Sequence, residues 1–193
     1  MKYILFISLL FISCSKNSES NSINEDENLA SETEQVSNEY YEIYLLEQLN
    51  ENRGYCIDIK GSKLNADPDN GLQAHTCYSY QGEVSVDQGF DNVKIDEDEF
   101  YMPFFDVCME AENTVASSSL NLKGCNKNGK QKFKFTNKAE IVLNGNNNLC
   151  LTVSENYREG GGGTPTHLIR DLILDNCSTD ISTRQRWGLR KAQ

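Results

Sequence analysis

With 193 residues, 38% hydrophobic and 9% aromatic, the chain is long enough for one well-cored domain plus appendages and too short for two comfortable ones. Acidic residues number 29 against 18 Lys and Arg, a formal charge of −11. A surface that repels phosphate argues against DNA, RNA or heparin as partners.

The chain opens "MKYILFISLLFISC": one cation at Lys2, then an apolar run from Tyr3 to Ile12 that is too short to span a bilayer. It reads as a secretory signal over residues 1–13. No A-x-A site follows, and the run ending at Ser13-Cys14 resembles a bacterial lipoprotein lipobox, which implies a lipidated Cys14. Phe11 and Ile12 depart from that pattern, and a short anchor or an uncleaved signal stays open as the alternative. Residues 15–39, "SKNSESNSINEDENLASETEQVSNE", hold seven acids, one lysine and no aromatic. Such a stretch buries too little to offset its ordering entropy, so residues 14–39 are expected to be a disordered, self-repelling acidic linker that holds a domain away from a membrane. The folded part is expected over residues 40–190.

Beyond Tyr40, short apolar stretches ("EIYLLEQL", "CIDIK", "QKFKFT", "EIVLNG", "LCLTV", "LILDNC") alternate with Gly, Asn, Asp and Ser clusters. That pattern predicts many short strands and no helix. The cysteines give the register of an internal repeat. Leaving Cys14 aside, six of the seven remain: Cys56 with Cys77, Cys108 with Cys125, Cys150 with Cys177. The first of each pair opens a strand ("CIDI", "CMEA", "CLTV"), and the second closes a segment ("LQAHTC", "LNLKGC", "LILDNC"). A Gln-x-aromatic follows each time: Gln88-Gly89-Phe90, Gln131-Lys132-Phe133 and Gln185-Arg186-Trp187.

These three motifs make the chain resemble the ricin B-type lectins, the β-trefoil family with three Gln-x-Trp motifs, over nearly all of the folded part. Phe stands for Trp in two of them, which keeps a large aromatic for the core. The resemblance implies an all-β fold of three pseudo-equivalent four-stranded units, closing a six-stranded barrel capped by three hairpins. The motif glutamines lie 43 and 54 residues apart by their numbers, so insertions are expected in "DNVKIDEDEFYMPF" and in "ENYREGGGGTPTH". In an exported protein an even set of cysteines favours disulfides. Of the fifteen ways to pair six cysteines, the repeat symmetry selects Cys56–Cys77, Cys108–Cys125 and Cys150–Cys177, each contributing about 2–4 kcal/mol. No CxxC occurs, so a zinc site is not expected.

A sugar site needs a carboxylate or amide pair for a vicinal diol and a flat apolar face for the C–H side of the ring. The resemblance assigns those roles in the first repeat to Asp58, Gln73, His75, Asp87 and Gln88, with His75 in place of the stacking aromatic. Taken singly, Asp58 can be a plain strand carboxylate, and Gln88 can serve only to bond backbone. The second repeat offers Glu110, Asn121 and Lys123 with Gln131, a weaker or altered set because Lys123 has no flat face. The third offers Thr152, Ile173 and Asp175 and reads as structural. An unperturbed imidazole titrates near pH 6.5, so a His75 that touches the ligand makes affinity vary between about pH 5.5 and 7.5.

No Gly-x-Ser-x-Gly, HExxH or phosphate loop is present, and "GGGGTP" reads as a flexible loop with His167 exposed beside it. The sequence therefore points to a non-enzymatic glycan-binding module without cofactor, exported and either anchored in a bacterial membrane by an N-terminal lipid or secreted. A β-trefoil scaffold for protein partners, with a relic sugar pocket, is the rival reading.

Overall fold

The computed structural model describes residues 40–191; the expected signal segment, Cys14 and the acidic linker lie outside the described residues. Twelve strands follow in order: β1 (Tyr40–Leu45), β2 (Tyr55–Ile59), β3 (Leu72–Thr76), β4 (Phe90–Asp91), β5 (Tyr101–Met102), β6 (Val107–Ala111), β7 (Ser118–Lys123), β8 (Phe133–Phe135), β9 (Ile141–Leu143), β10 (Asn146–Glu159), β11 (Leu168–Asn176) and β12 (Trp187–Arg190).

They fall into three sets of four. Within each set the middle strands form an antiparallel hairpin: β2 with β3, β6 with β7, β10 with β11. The outer strands close a six-stranded barrel. β1 pairs with β4 and β12, and β8 pairs with β9. Single bridges, Glu99 with Lys132 and Glu140 with Arg186, join β5 to β8 and β9 to β12, while β4 lies against β5. This is the β-trefoil that the resemblance to the ricin B-type lectins implies. The disulfides are Cys56–Cys77, Cys108–Cys125 and Cys150–Cys177, one in each set, as the register requires.

The motif aromatics explain why the pattern needs a large apolar ring. Phe90, Phe133 and Trp187 each open the fourth strand of a set and are fully buried. Phe100 meets Phe90 at 6.4 Å and Phe133 at 5.9 Å between ring centres, edge to face. Full burial of each such ring contributes on the order of 2–3 kcal/mol. Trp187 adds a hydrogen bond from its indole nitrogen to the Leu151 carbonyl, 2.9 Å away. Most strands show one buried face; in β7 Leu120 and Leu122 point inward while Ser119 and Lys123 are exposed. β2 differs, with all five residues buried, because something covers its outer side.

Two expectations are corrected in detail. The stretch "DNVKIDEDEFYMPF" contains a five-residue helix, Asn92–Asp96, started by Asp91, whose carboxylate accepts from the Val93 and Lys94 amides at 2.8 and 3.1 Å. A carboxylate ahead of free amides caps a helix turn even in a chain with no helical periodicity. The stretch "ENYREGGGGTPTH" is not simply a loop. Tyr157, Arg158 and Glu159 continue β10 and pair with Arg170, Ile169 and Leu168 of β11, beyond a bulge between Val153 and Tyr157. Arg170 stabilises that bulge. Its guanidinium donates to the Ser154 and Glu155 carbonyls and to Asn50, and lies between the Tyr55 and Tyr157 rings at 5.1 and 5.4 Å. The third hairpin is therefore far longer than the other two, and it reaches across the first repeat.

Candidate functional site

One hydrogen-bonding frame recurs in all three repeats and is built by the motif glutamine. Gln88 accepts from the Tyr78 amide (2.9 Å) and donates to the Thr76 carbonyl (3.1 Å) and to Asp58 (3.0 Å). Gln131 accepts from the Asn126 amide (2.8 Å) and donates to the Gly124 carbonyl (3.1 Å) and to Glu110 (2.9 Å). Gln185 accepts from the Ser178 amide (2.9 Å) and donates to the Asn176 carbonyl (2.9 Å) and the Thr152 hydroxyl (2.8 Å). In each case the glutamine clamps the backbone on both sides of the second cysteine and grips the residue two past the first. The backbone role considered for Gln88 is thus real, and it coexists with a hold on the candidate carboxylate.

In the first repeat the five expected residues converge. Asp58 on β2 faces Gln73 on β3 in register, and the Gln73 amide donates to Asp58 at 2.8 Å. His75 lies opposite Cys56, and its Nδ1 meets the Thr76 carbonyl at 2.8 Å. Asp87 and Gln88 enter from the turn before β4. All five are buried, not at the solvent-facing pocket edge the sequence suggests: relative exposures of Asp58, Gln73, His75, Asp87 and Gln88 are 1, 4, 5, 0 and 0%.

Two segments close over them. From the β2–β3 connection, the Lys63 amide donates to the Asp87 carboxylate, which also accepts from Ser85. From the third repeat, β11 pairs with β3, setting Ile169 opposite His75 and Asp171 opposite Gln73. Arg158 pairs with Asp171 at 2.9 Å and donates to the side-chain amide oxygen of Gln73 at 3.1 Å. The tip packs His167 against His75 (5.1 Å between rings) and Tyr78 (5.3 Å), with the Tyr80 hydroxyl 3.2 Å from His167 Nε2. His167, expected to be exposed, is only 6% so. Arg53 fastens the tip by donating to the Pro165 and Thr166 carbonyls at 2.9 and 3.0 Å while paired with Glu51 at 2.7 Å. Thr76 completes the seam, accepting from the Leu168 amide and donating to Glu51, both at 2.8 Å.

Burial sets the charge states. Asp58 is pushed well above the usual carboxylate range by its desolvation and by the charge of Asp87, against the hydrogen bonds from Gln73 and Gln88. The His75 imidazole is lowered by burial and by His167 and Arg53, with its bond to Thr76 and the charge of Asp87 opposing. His167 is lowered by burial, Arg53 and Lys63, with Glu51 opposing.

The second repeat is open. Glu110 on β6 faces Asn121 on β7 in the register of Asp58 and Gln73, and Cys108 faces Lys123 as Cys56 faces His75. Glu110 borders a cleft of about 640 Å³ together with Thr114, Asn128, Lys130, Asn144 and Asn146. One carboxylate oxygen accepts from Gln131 and Asn128, both at 2.9 Å; the other accepts no hydrogen bond among the described residues. Lys123 is exposed. In the third repeat, Thr152 donates to the Cys150 carbonyl and accepts from Gln185, with Ile173 and Asp175 on β11 adding no comparable polar cluster. Sequence reasoning did not find Asn128, Asn144 or Asn146, which lie outside the cysteine-anchored offsets. It also missed Arg158, Arg53 and Tyr78, whose roles depend on a contact across the molecule.

The three equivalent frames on a twelve-stranded trefoil define the protein class, and the sequence family agrees. The model of the ricin-type beta-trefoil lectin domain matches residues 46–187, and the chain belongs to that family. Among solved structures, it is similar to a designed three-fold symmetric protein, ThreeFoil (15% identity, TM-score 0.56, covering 78% of this chain and 97% of that one). It is likewise similar to the C-half of an earthworm R-type lectin in complex with GalNAc (13% identity, TM-score 0.52, covering 79% and 98%). At these identities the likeness is one of fold. No curated protein matches the chain. Three disulfides are typical of chains that fold in an oxidising, exported compartment, and among the described residues no helix is long and apolar enough to cross a membrane.

Proposed function

We propose that the domain is a non-catalytic carbohydrate-binding module whose open site is the second-repeat cleft. The observation that carries this is Glu110: a carboxylate lining the cleft, held by Gln131 and Asn128 through one oxygen, while the other accepts no hydrogen bond among the described residues. Along the same cleft Asn144 donates to Asp98 at 2.7 Å and Lys130 to the Glu112 carbonyl at 2.8 Å, and their remaining hydrogen-bonding capacity, with that of Asn146, is what a sugar hydroxyl would meet. The first-repeat residues Asp58, Gln73, His75, Asp87 and Gln88 belong to this reading as a second, closed set. GalNAc, bound by the earthworm lectin, is the first sugar to test. A shallow site of this kind binds at about millimolar strength, on the order of −4 kcal/mol.

The test is a glycan array with the full chain and Glu110→Gln. The amide oxygen of Gln accepts from Gln131 and Asn128, but its NH2 group faces the cleft and the charged acceptor is lost. The expected result is a loss of about ten- to hundredfold, in line with about 1.5–3 kcal/mol for a hydrogen bond to a charged group, with the fold intact by circular dichroism. Equal retention by the variant removes the site. An empty array, together with capture of a protein partner that free sugar does not displace, favours the scaffold reading.

Attachment through Cys14 is part of the proposal. A lipid anchor displays many copies on one membrane, and multivalency raises a weak affinity to a useful avidity. The measurement is incorporation of a clickable fatty acid in cells, present in the natural chain and absent from Cys14→Ser.

A further inference from the structure

The chain has two histidines in all, and the fold brings them into ring contact across the seam between the first-repeat constellation and the hairpin that covers it. We propose that the β10–β11 hairpin tip is an acid-released cover over the first-repeat residues, latched by the packing of His167 on His75. This rests on reading those residues as a sugar site, and adds its regulation.

The latch is suited to neutral imidazoles. Charging both places two cations 5.1 Å apart between ring centres, beside groups that come from every element around them. Arg53 from the β1–β2 turn and Lys63 from the β2–β3 connection repel them. Burial pushes the Tyr78 hydroxyl, following β3, further up, so it gives no compensating charge. Of the nearby carboxylates, Glu51 is engaged by Arg53 and Thr76, and Asp87 by Lys63 and Ser85. Asp58 works in the opposite sense, because its protonation removes a buried charge from the closed state.

The tip is set off from the rest of β10 by the Val153–Tyr157 bulge, and beyond it the hairpin is held by the β3 ladder, the Arg158 and Arg53 bonds, the Leu168 amide on Thr76, Arg170 on Asn50 and Tyr55, the Tyr80 hydroxyl and the histidine packing. Release withdraws Arg158 from Gln73 and uncovers Gln73 and His75.

The sign follows from linkage. Both imidazoles are lowered from 6.5 in the closed state, so the open state binds more protons and closure is lost as pH falls below about 6.5. Between pH 7.5 and 5.5, an imidazole that titrates normally when open and is held neutral when closed raises the opening constant by at most about tenfold, and two by at most about a hundredfold, with Asp58 acting against them.

The test is hydrogen exchange on the full chain at both pH values, corrected for intrinsic rates. Amides of residues 157–171 and 72–76 are expected to open more than threefold and up to about a hundredfold more at pH 5.5, while the β1–β12 ladder changes less than threefold. His167→Gln is expected to remove most of that response. An unchanged wild-type hairpin, or a full response in His167→Gln, overturns the latch. If His167→Gln does not fold, a nuclear magnetic resonance titration of the wild-type imidazoles decides: both must titrate below 6.5, and ordinary values overturn the proposal. Array retention that rises at pH 5.5 and is lost in Asp58→Ala supports the covered site. Opening without any such gain leaves the cover standing and overturns the sugar reading of this pocket alone.

Discussion

Replacing Gln185 by Met isolates the clamp from any role in binding. Gln185 is 1% exposed, sits in the repeat that lacks a carboxylate, and makes three hydrogen bonds of 2.8–2.9 Å. Met has a similar length and no polar group, so little volume is lost, but the Ser178 amide and the Asn176 carbonyl lose their partner. At about 1 kcal/mol net per bond, the loss is about 3 kcal/mol, a large share of the roughly 5–15 kcal/mol that keeps a domain folded. Urea unfolding with disulfides intact is the assay, and Trp187, the chain's one tryptophan, reports it by fluorescence. With a slope of about 2 kcal/mol per molar urea, the midpoint falls by about 1.5 M. A loss under about 1 kcal/mol refutes the view that the motif glutamine is kept for its backbone clamp. Gln131→Met carries the same argument into the binding repeat, where it is expected to cost both stability and array retention.

Other outcomes follow from single contacts. Trp187→Phe, which copies the residue of the other two repeats, strands the Leu151 carbonyl and leaves a gap; a loss of about 2–3 kcal/mol is expected by circular dichroism melts or urea, and a neutral result contradicts the packing described. Gly163 has φ +88, and a Cβ there comes within 2.4 Å of the His167 ring; Gly163→Ala is expected to unseat His167 and raise exchange in the tip at pH 7.5. Asp58 is raised well above 3.8 in the folded state, so the stability linked to its proton is present below that value and lost as pH rises through the folded one. Asp58→Asn lacks that loss and is expected to be more damaging at pH 4 than at pH 7.5 in urea unfolding. Equal damage at both contradicts a raised carboxyl.

Much of this molecule was legible because its information is local and repeated. Each Cys-apolar-polar-apolar strand and each Gln-x-aromatic sits at a short offset from a cysteine, and three copies in order give strands, disulfide partners and the core rings at once. The same offsets brought Asp58, Gln73, His75 and Gln88 to one place, and Glu110 to another. Exposure was not legible. The sequence offered the first repeat as the better-furnished site and His167 as a loop residue; the fold buries both, and leaves open the repeat with the poorer set of residues.

The sequence by itself determined the short strands, the three-fold repeat and its cysteine register, because strand period, cysteine order and motif aromatics act over a few residues, and the resemblance carried by those motifs supplied the trefoil and the type of group at each candidate position. Only the tertiary structure decided which site meets solvent. That depends on Arg158 reaching Gln73 and His167 reaching His75, contacts across about ninety residues of chain by their numbers, and on the length of a hairpin whose direction is set by the β3–β11 ladder. A local pattern states what a residue offers; packing from elsewhere in the chain determines what it meets.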